Sequence, residues 1–380
     1  LVHLFYFSKI FQKPKGESSP LYSRPISDIF EGGEKMLSIG IVGLPNAGKS
    51  TLFNALVKGY QAKVAIHPFT TIKPNVGVVE VPDGRLNLIA ERLNLPKQIP
   101  ATIEFVDIAG LVKGAHKGEG LGNQFLAHIR ECDAILHLVR FFDEGVPSAG
   151  GVVDPESDLE VVNTELCLKD LETIKKALAE KKIDPKRKEV LAKVLDTINQ
   201  DKPAREAKLT EEELAQIADL NLLTLKPVLY VANVSEEQFG KTLPARLPQG
   251  TLTISAKLES DLMSLPKKEQ KEYLKSLGES ESGLDKIIKA AYKLLNLITF
   301  YTLLPNQVQA WSIQKGTKAK EAASKIHTDF EKKFIAVEIC PFSELIKFKG
   351  WQEAQQKGKV RTEGRNYAIQ DGDVVLFRHS

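Results

Sequence analysis

The sequence has little cysteine, no long apolar run and almost no net charge. Three cysteines, Cys132, Cys167 and Cys340, lie far apart without a Cys-x-x-Cys spacing. That argues against a disulfide scaffold or a zinc site and fits a reducing, cytoplasmic compartment. No uninterrupted apolar stretch reaches the ~18–20 residues that a bilayer crossing needs, so no membrane partner is expected. A formal net charge of +3 over 380 residues is too small to mark a nucleic-acid binder by itself. What is present is a hydrophobic fraction of 42%, ample for a core, in a chain long enough for two or three domains.

The first 35 residues are rich in Ser, Pro and Lys and show no sustained period. Residues 1–35 read as a poorly ordered extension, or alternatively a transit-type segment, and stay outside the fold. From Leu37 onward, "LSIGIVG", "TIEFVDIAG", "AILHLVRFF" and "KPVLYVANV" are short, β-branched and apolar almost throughout. Strands of a mostly parallel sheet covered on both faces read this way. Helical patterns separate them, so the class is α/β. The sheet is interrupted at residues 143–224 by a charged helical insertion. There Leu171, Ile174 and Leu178 recur on one face, and Val190, Val194 and Ile198 on another. Asp184 and Pro185 read as a helix start, and Thr210 with Glu213 as a capping box. Residues 36–142 and 225–296 then form a nucleotide-binding domain, and 297–380 a small α+β domain.

"GLPNAGKST" matches Gly-x-x-x-x-Gly-Lys-Ser/Thr between a strand and a helix, the context that a phosphate loop requires. Gly43 permits the tight turn. Asn46, Ala47, Gly48 and Thr51 contribute to a cradle of N–H groups at a helix N-terminus. Lys49 would reach the β- and γ-phosphates, and Ser50 would ligate Mg²⁺. In "FVDIAG", Asp107 would hold the Mg²⁺ shell through water and the Gly110 N–H would meet the γ-phosphate. A threonine in "HPFTTIKPN" would join the Mg²⁺ only with the γ-phosphate present; Thr71 is preferred and Thr70 is the alternative. The position that carries a water-orienting Gln in Ras-like proteins is Leu111, which cannot orient anything by hydrogen bonding. The following segment, with four glycines in "LVKGAHKGEGLGN", reads as a switch and holds His116.

The base-reading motif Asn-Lys-x-Asp is missing. In its place stand Asn233, Val234, Ser235 and Glu236. An Asp carboxylate accepts both guanine N1–H and the 2-amino group, whereas adenine offers neither. Glu236 displaces that carboxylate by a methylene, and Val234 removes the covering ammonium arm. Asn233 is left to bond the purine N7 or 6-substituent, with Ser255 and Ala256 of "ISAKLE" near the 6-position. The expectation is a purine site that favours ATP, with GTP not excluded.

In these segments, and in "FTTIKPNVGVV", "NTEL" and "AWSIQKGTKAKEAASKIHTDFEKKFI", the chain from Leu37 onward resembles the YchF-type ATPases of the Obg-related P-loop family. That resemblance implies a G domain, an inserted helical hairpin and a C-terminal β-grasp (TGS) domain. It also implies an ATP preference through Asn-x-x-Glu, and association with 70S particles, the large subunit and rRNA in translation or stress response. One departure stands out: "FDEGVPSAGGVVDP" has no histidine where such relatives have a hydrolysis-assisting one. His116 is the candidate substitute, beside Lys49 and Gly110, for the catalytic set. Asn46 suggests an added K⁺. A monomer is expected. In the last domain, Lys347, Lys349, Lys357, Lys359 and Arg361 around Trp351 suit RNA phosphates and a stacked base. Two rivals stay open: a GTP-hydrolysing ribosome-assembly factor, and a nucleotide-gated RNA-binding adaptor that hardly hydrolyses.

Overall fold

Strands without a polar face must be covered on both sides, and that sets the architecture of the nucleotide-binding half. The computed structural model describes residues 36–60, 63–64, 75–108, 121–143, 153–241 and 247–380, and Met36–Ser380 is one compact unit. In chain order its first elements are β1 (Ser38–Val42), α1 (Lys49–Gly59), β2 (Lys63–Val64), β3 (Asn75–Glu80), α2 (Gly84–Arg92), β4 (Lys97–Ile99), β5 (Thr102–Asp107), α3 (Leu121–Glu131) and β6 (Ala134–Arg140). The insertion adds α4 (Pro155–Leu178), α5 (Pro185–Ile198) and α6 (Glu211–Ile217). The sheet resumes with β7 (Val228–Asn233) and β8 (Leu252–Ile254), followed by α7 (Ala256–Leu262), α8 (Lys267–Ser276) and α9 (Gly283–Leu294).

The first sheet has seven strands in the order β2-β3-β5-β1-β6-β7-β8. All pairs are parallel except β2 with β3 and β3 with β5. Every residue of β1 and β6 is buried. The α/β expectation, with its mostly parallel sheet, is therefore met.

The helical insertion follows the apolar periods. Ile174, Val190, Val194 and Ile198 are buried and pack together. Asp184 caps α5, accepting from the N–H groups of Lys186 and Arg187 at 2.9 and 3.1 Å. The Thr210–Glu213 capping box is formed in full. A buried carboxylate closes the insertion just before the sheet resumes: Asp170 accepts from Leu223 N–H at 2.8 Å, and from Thr224 N–H and hydroxyl at 2.7 and 2.6 Å.

The C-terminal part contains β9 (Leu297–Leu304), β10 (Gln307–Gln314), α10 (Ala319–Ser324), α11 (Thr328–Lys332), β11 (Phe334–Pro341), α12 (Phe342–Leu345), α13 (Trp351–Gln356), β12 (Arg361–Glu363) and β13 (Asp373–His379). Its six-stranded sheet runs β12-β11-β13-β9-β10-β4. One strand is borrowed, because β4 comes from the nucleotide-binding half and pairs parallel with β10. A polar cluster reinforces this seam. Asp83 caps α2 and accepts from the Tyr301 hydroxyl, while Arg85 bridges Asp83 and Asp371. Burial pushes the Asp83 carboxyl up, but hydrogen bonds from Arg85 and Tyr301 outweigh it and hold the group below its ordinary range.

His137, on β6, is 2% exposed. Burial, aided by the positive charge of Arg205, lowers its pKa from 6.5 to about 3. Between those values the unfolded chain takes up a proton that the native chain refuses. This contribution to stability is therefore intact above pH 6.5 and is lost as the pH falls towards 3. The slope is at most about 1.4 kcal/mol per pH unit. A His137→Gln variant should lose unfolding free energy more gently than the wild type when urea denaturation is followed from pH 6.5 down to 4. Equal slopes would contradict the assignment.

Candidate nucleotide-binding site

The carboxyl ends of β1, β5, β6 and β7 converge on one edge of the sheet, where open α/β folds bind ligands. Between β1 and α1 the chain must turn sharply. At Gly43 a Cβ would sit 2.4 Å from the Leu138 carbonyl oxygen, a backbone atom that cannot move aside. Gly48 has φ +92°, and a Cβ there would meet Asn233 Nδ2 at 2.3 Å. Glycine is required at both positions, for close approach in the first and for conformation as well in the second.

Lys49 is buried, and its Nζ donates to the Leu44 carbonyl at 2.9 Å. Burial lowers its pKa, against an opposing pull from Asp107. The Ser50 hydroxyl donates to Asp107 Oδ2 at 3.0 Å, joining residues 57 apart in sequence. A hydroxyl and a carboxylate at the mouth of a phosphate loop suit Mg²⁺, which keeps several waters and takes its remaining ligands from phosphates. No cluster of three or more His, Cys, Asp or Glu fit for a metal occurs among the described residues. Such a cluster would suit a fully protein-bound ion, whereas Mg²⁺ beside phosphates takes few ligands from the protein. Asn75 lies opposite Asp107 in the β3–β5 register. The chain following Thr71 thus enters the sheet beside this carboxylate. Thr71 and Thr70 themselves, with Gly110, Leu111 and His116, lie outside the described residues.

Of the residues expected to read the base, Asn233, Val234 and Ala256 line one cavity, and several also make contacts within the protein. Asn233 is buried, and its carboxamide is a strut: Nδ2 donates to the Ala47 carbonyl at 2.9 Å, and Oδ1 accepts from Ala256 N–H at 2.9 Å. Its oxygen is thereby committed to the protein, leaving one amide hydrogen for a base. Glu236 is exposed, and its Oε1 accepts from the Tyr273 hydroxyl of α8 at 2.6 Å. The Ser255 hydroxyl accepts from Leu258 N–H and caps α7. A cavity of about 310 Å³ is lined by Asn46, Gly48, Thr51, Asn233, Val234 and Ala256, with Phe142 and Lys257 completing it. Neither Glu236 nor Ser255 is part of this lining. Phe142 escaped the motif reading, although it sits just past the carboxyl end of β6, a position that itself signals a ligand. Its ring lies 4.7 Å from the Arg140 guanidinium, which also donates to the Phe142 carbonyl.

The phosphate loop, the Ser50–Asp107 pair and the purine-sized cleft belong to a P-loop NTPase, and whole-chain comparisons decide which. The ribosome-binding ATPase YchF of Bacillus subtilis (strain 168) is 46% identical over 362 residues, covering 90% of this chain and 99% of that protein. The chain belongs to the YchF family. The YchF of Escherichia coli O157:H7 is likewise 46% identical, over 89% of this chain and 98% of its own length. The solved Schizosaccharomyces pombe YchF GTPase superposes with a TM-score of 0.79 at 35% identity, covering 91% of this chain and 98% of that one. Residues 38–234 match the MMR_HSR1 family model, described as a 50S ribosome-binding GTPase. Residues 297–380 match YchF-GTPase_C, described as a protein of unknown function. Names within the YchF family thus divide between ATP and GTP, and the base-reading residues carry the decision for this chain.

The C-terminal basic residues Lys347, Lys349, Lys357, Lys359 and Arg361 are all exposed. Lys347 and Lys359 both pair with Glu344, and Arg361 pairs with Glu363. Trp351, expected as a stacking platform, is half-buried and packs against the large core. An indole contributes more by covering apolar area there than by facing solvent.

Removing the strut tests its role. Asn233→Ala leaves the Ala47 carbonyl and Ala256 N–H without their partner, at about 1–3 kcal/mol. Urea unfolding should shift by that amount, and ATP-analogue affinity should fall about tenfold or more as the loop loosens. Unchanged affinity would mean that the loop holds its shape alone.

Proposed function

We propose that this YchF-family protein is a Mg²⁺-dependent cytoplasmic ATPase that prefers ATP to GTP and acts as a nucleotide switch on the ribosome. The observation that carries the base preference is the missing carboxylate: Glu236 is held by Tyr273, away from the lining of the cavity, and Val234 lines it instead. Guanine brings N1–H and a 2-amino group, and a site without their acceptor leaves both donors unpaired. Such a mismatch is a strong source of discrimination. Adenine makes no such demand.

Water would attack the γ-phosphorus in line, with ADP leaving. Lys49 would exchange its bond to the Leu44 carbonyl for the β- and γ-oxygens, whose negative charge offsets the effect of burial and keeps it an ammonium. Ser50 and Asp107 would hold Mg²⁺, directly and through water, and the ion would neutralise charge developing on the phosphates. A K⁺ beside Asn46 would add to this neutralisation. Leu111 offers no hydrogen bond to the attacking water, so intrinsic turnover is expected to be slow, with His116 as the candidate group to position it. Ribosome association is supported by the names of the B. subtilis and E. coli relatives, and 70S particles and the large subunit are the partners we propose. A single chain is taken as the working unit.

Two readouts test the reading together. Lys49→Ala should lower ATP turnover about 100-fold or more. It should also abolish any difference between co-sedimentation with 70S ribosomes in a non-hydrolysable ATP analogue and in ADP. Wild-type sedimentation indifferent to nucleotide would eliminate the switch.

A further inference from the structure

The tip of the helical insertion, formed by the end of α4, the connection that follows and the start of α5, carries an unusual concentration of charge. Between residues 175 and 188 stand seven cations, Lys175, Lys176, Lys181, Lys182, Lys186, Arg187 and Lys188, against only Glu180 and Asp184. The rest of the insertion has the opposite sign. Across residues 155–217 as a whole there are 15 acids and 12 bases, but outside the tip the count is 13 to 5. Basic charge is segregated at one end of an otherwise acidic element.

Stability does not account for this arrangement. Lys175 and Lys176 in the last turn of α4 complement its dipole, but the first turn of α5 holds Lys186, Arg187 and Lys188 and no acid. Cations at a helix N-terminus face the positive end of the macrodipole. In the same insertion α6 begins with Glu211, Glu212 and Glu213, the arrangement that stability favours. Arg187 has a structural role, reaching both carboxylate oxygens of Asp219 and the Gln216 carbonyl. Asp184 is occupied by capping. The six lysines are exposed, and none forms an ion pair or side-chain hydrogen bond among the described residues. Because α4 and α5 run antiparallel through a connection of residues 179–184, all six lie within about one turn, roughly 5 Å of axial rise, of the hairpin end.

We infer that this lysine tip is a docking point for the phosphate backbone of base-paired RNA. The inference rests on the ribosome-binding reading above and gives the insertion a partner surface of its own. Lysines supply mobile point charges suited to phosphate, without the planar fork that reads base edges. The insertion has no Phe, Tyr or Trp from residue 155 to 217, so it offers no ring on which unpaired bases would stack. Recognition there is of backbone charge and shape, as for a duplex.

The test uses the full chain and a fluorescent 30-base-pair RNA duplex, with anisotropy measured across KCl concentrations. Each phosphate contact contributes about 0.7–0.9 to the slope of log affinity on log salt. Changing Lys181, Lys182, Lys186 and Lys188 together to Gln should therefore reduce that slope by about 3 and weaken binding at least tenfold. ATP turnover should stay at the wild-type level, so a failure of the nucleotide reading shows there and not in duplex binding. Lys186→Glu alone should weaken duplex binding yet raise the thermal midpoint by about 1–2 °C, since the change suits the helix dipole. A wild-type chain that ignores the duplex, or a fourfold variant that binds it unchanged, overturns the inference. So does competition by polyglutamate as effective as unlabelled duplex, which would make an acidic protein the occupant.

Discussion

The carboxamide of Asn233 joins three loops that are distant in sequence. It donates to Ala47 in the phosphate loop and accepts from Ala256 at the start of α7, while its own backbone ends β7. Gly48 has to be glycine partly because this side chain occupies the space beside it. The wall of the cavity, the turn of the phosphate loop and the start of α7 are thus held in register by two hydrogen bonds. Both bonds are buried, so breaking either leaves an unsatisfied polar group, and the arrangement is stiff. A site pre-shaped in this way loses little entropy when a nucleotide enters.

From that site a continuous path leads to the C-terminal sheet. β3 follows directly on the stretch that carries Thr71, and its first residue lies opposite Asp107. The chain then passes Asp83, which is tied to Arg85 and Tyr301, and continues through α2 into β4. β4 is itself a strand of the second sheet. The Ser312 hydroxyl of β10 also donates to the Thr102 carbonyl at the start of β5. A response to the γ-phosphate at the Thr71 segment would need no flexible linker to reach the C-terminal domain, because β4, which lies in the chain between β3 and β5 of the first sheet, is itself a strand of the second.

The elements legible in the sequence were those whose pattern is local. β1, β5, β6 and β7 are apolar on both faces, and the insertion helices repeat their apolar residues on one face. The capping box at Thr210 and the start at Asp184–Pro185 are side-chain signals within four residues. β4 gave no such signal: Lys97-Gln98-Ile99 is short and largely exposed, and it becomes a strand only through a partner at Gln307–Gln309. The site divides in the same way. Gly43, Gly48, Lys49 and Ser50 follow from one contiguous motif. The commitment of Asn233 to Ala47 and Ala256, and of Glu236 to Tyr273, depends on contacts between residues up to 186 positions apart. The packing of Trp351 against the core and the pairing of Lys359 with Glu344 are likewise contacts that composition does not show.

The claim on which the account turns is that no carboxylate reads the purine edge in the cavity beside Asn233. Calorimetric titration of the nucleotide-free protein with Mg²⁺ and the non-hydrolysable analogues of ATP and GTP, in parallel, tests it most directly. Tighter binding of the ATP analogue is the predicted result. Tighter binding of the GTP analogue would contradict the account, because it would require Glu236 to leave Tyr273 or backbone groups to read guanine.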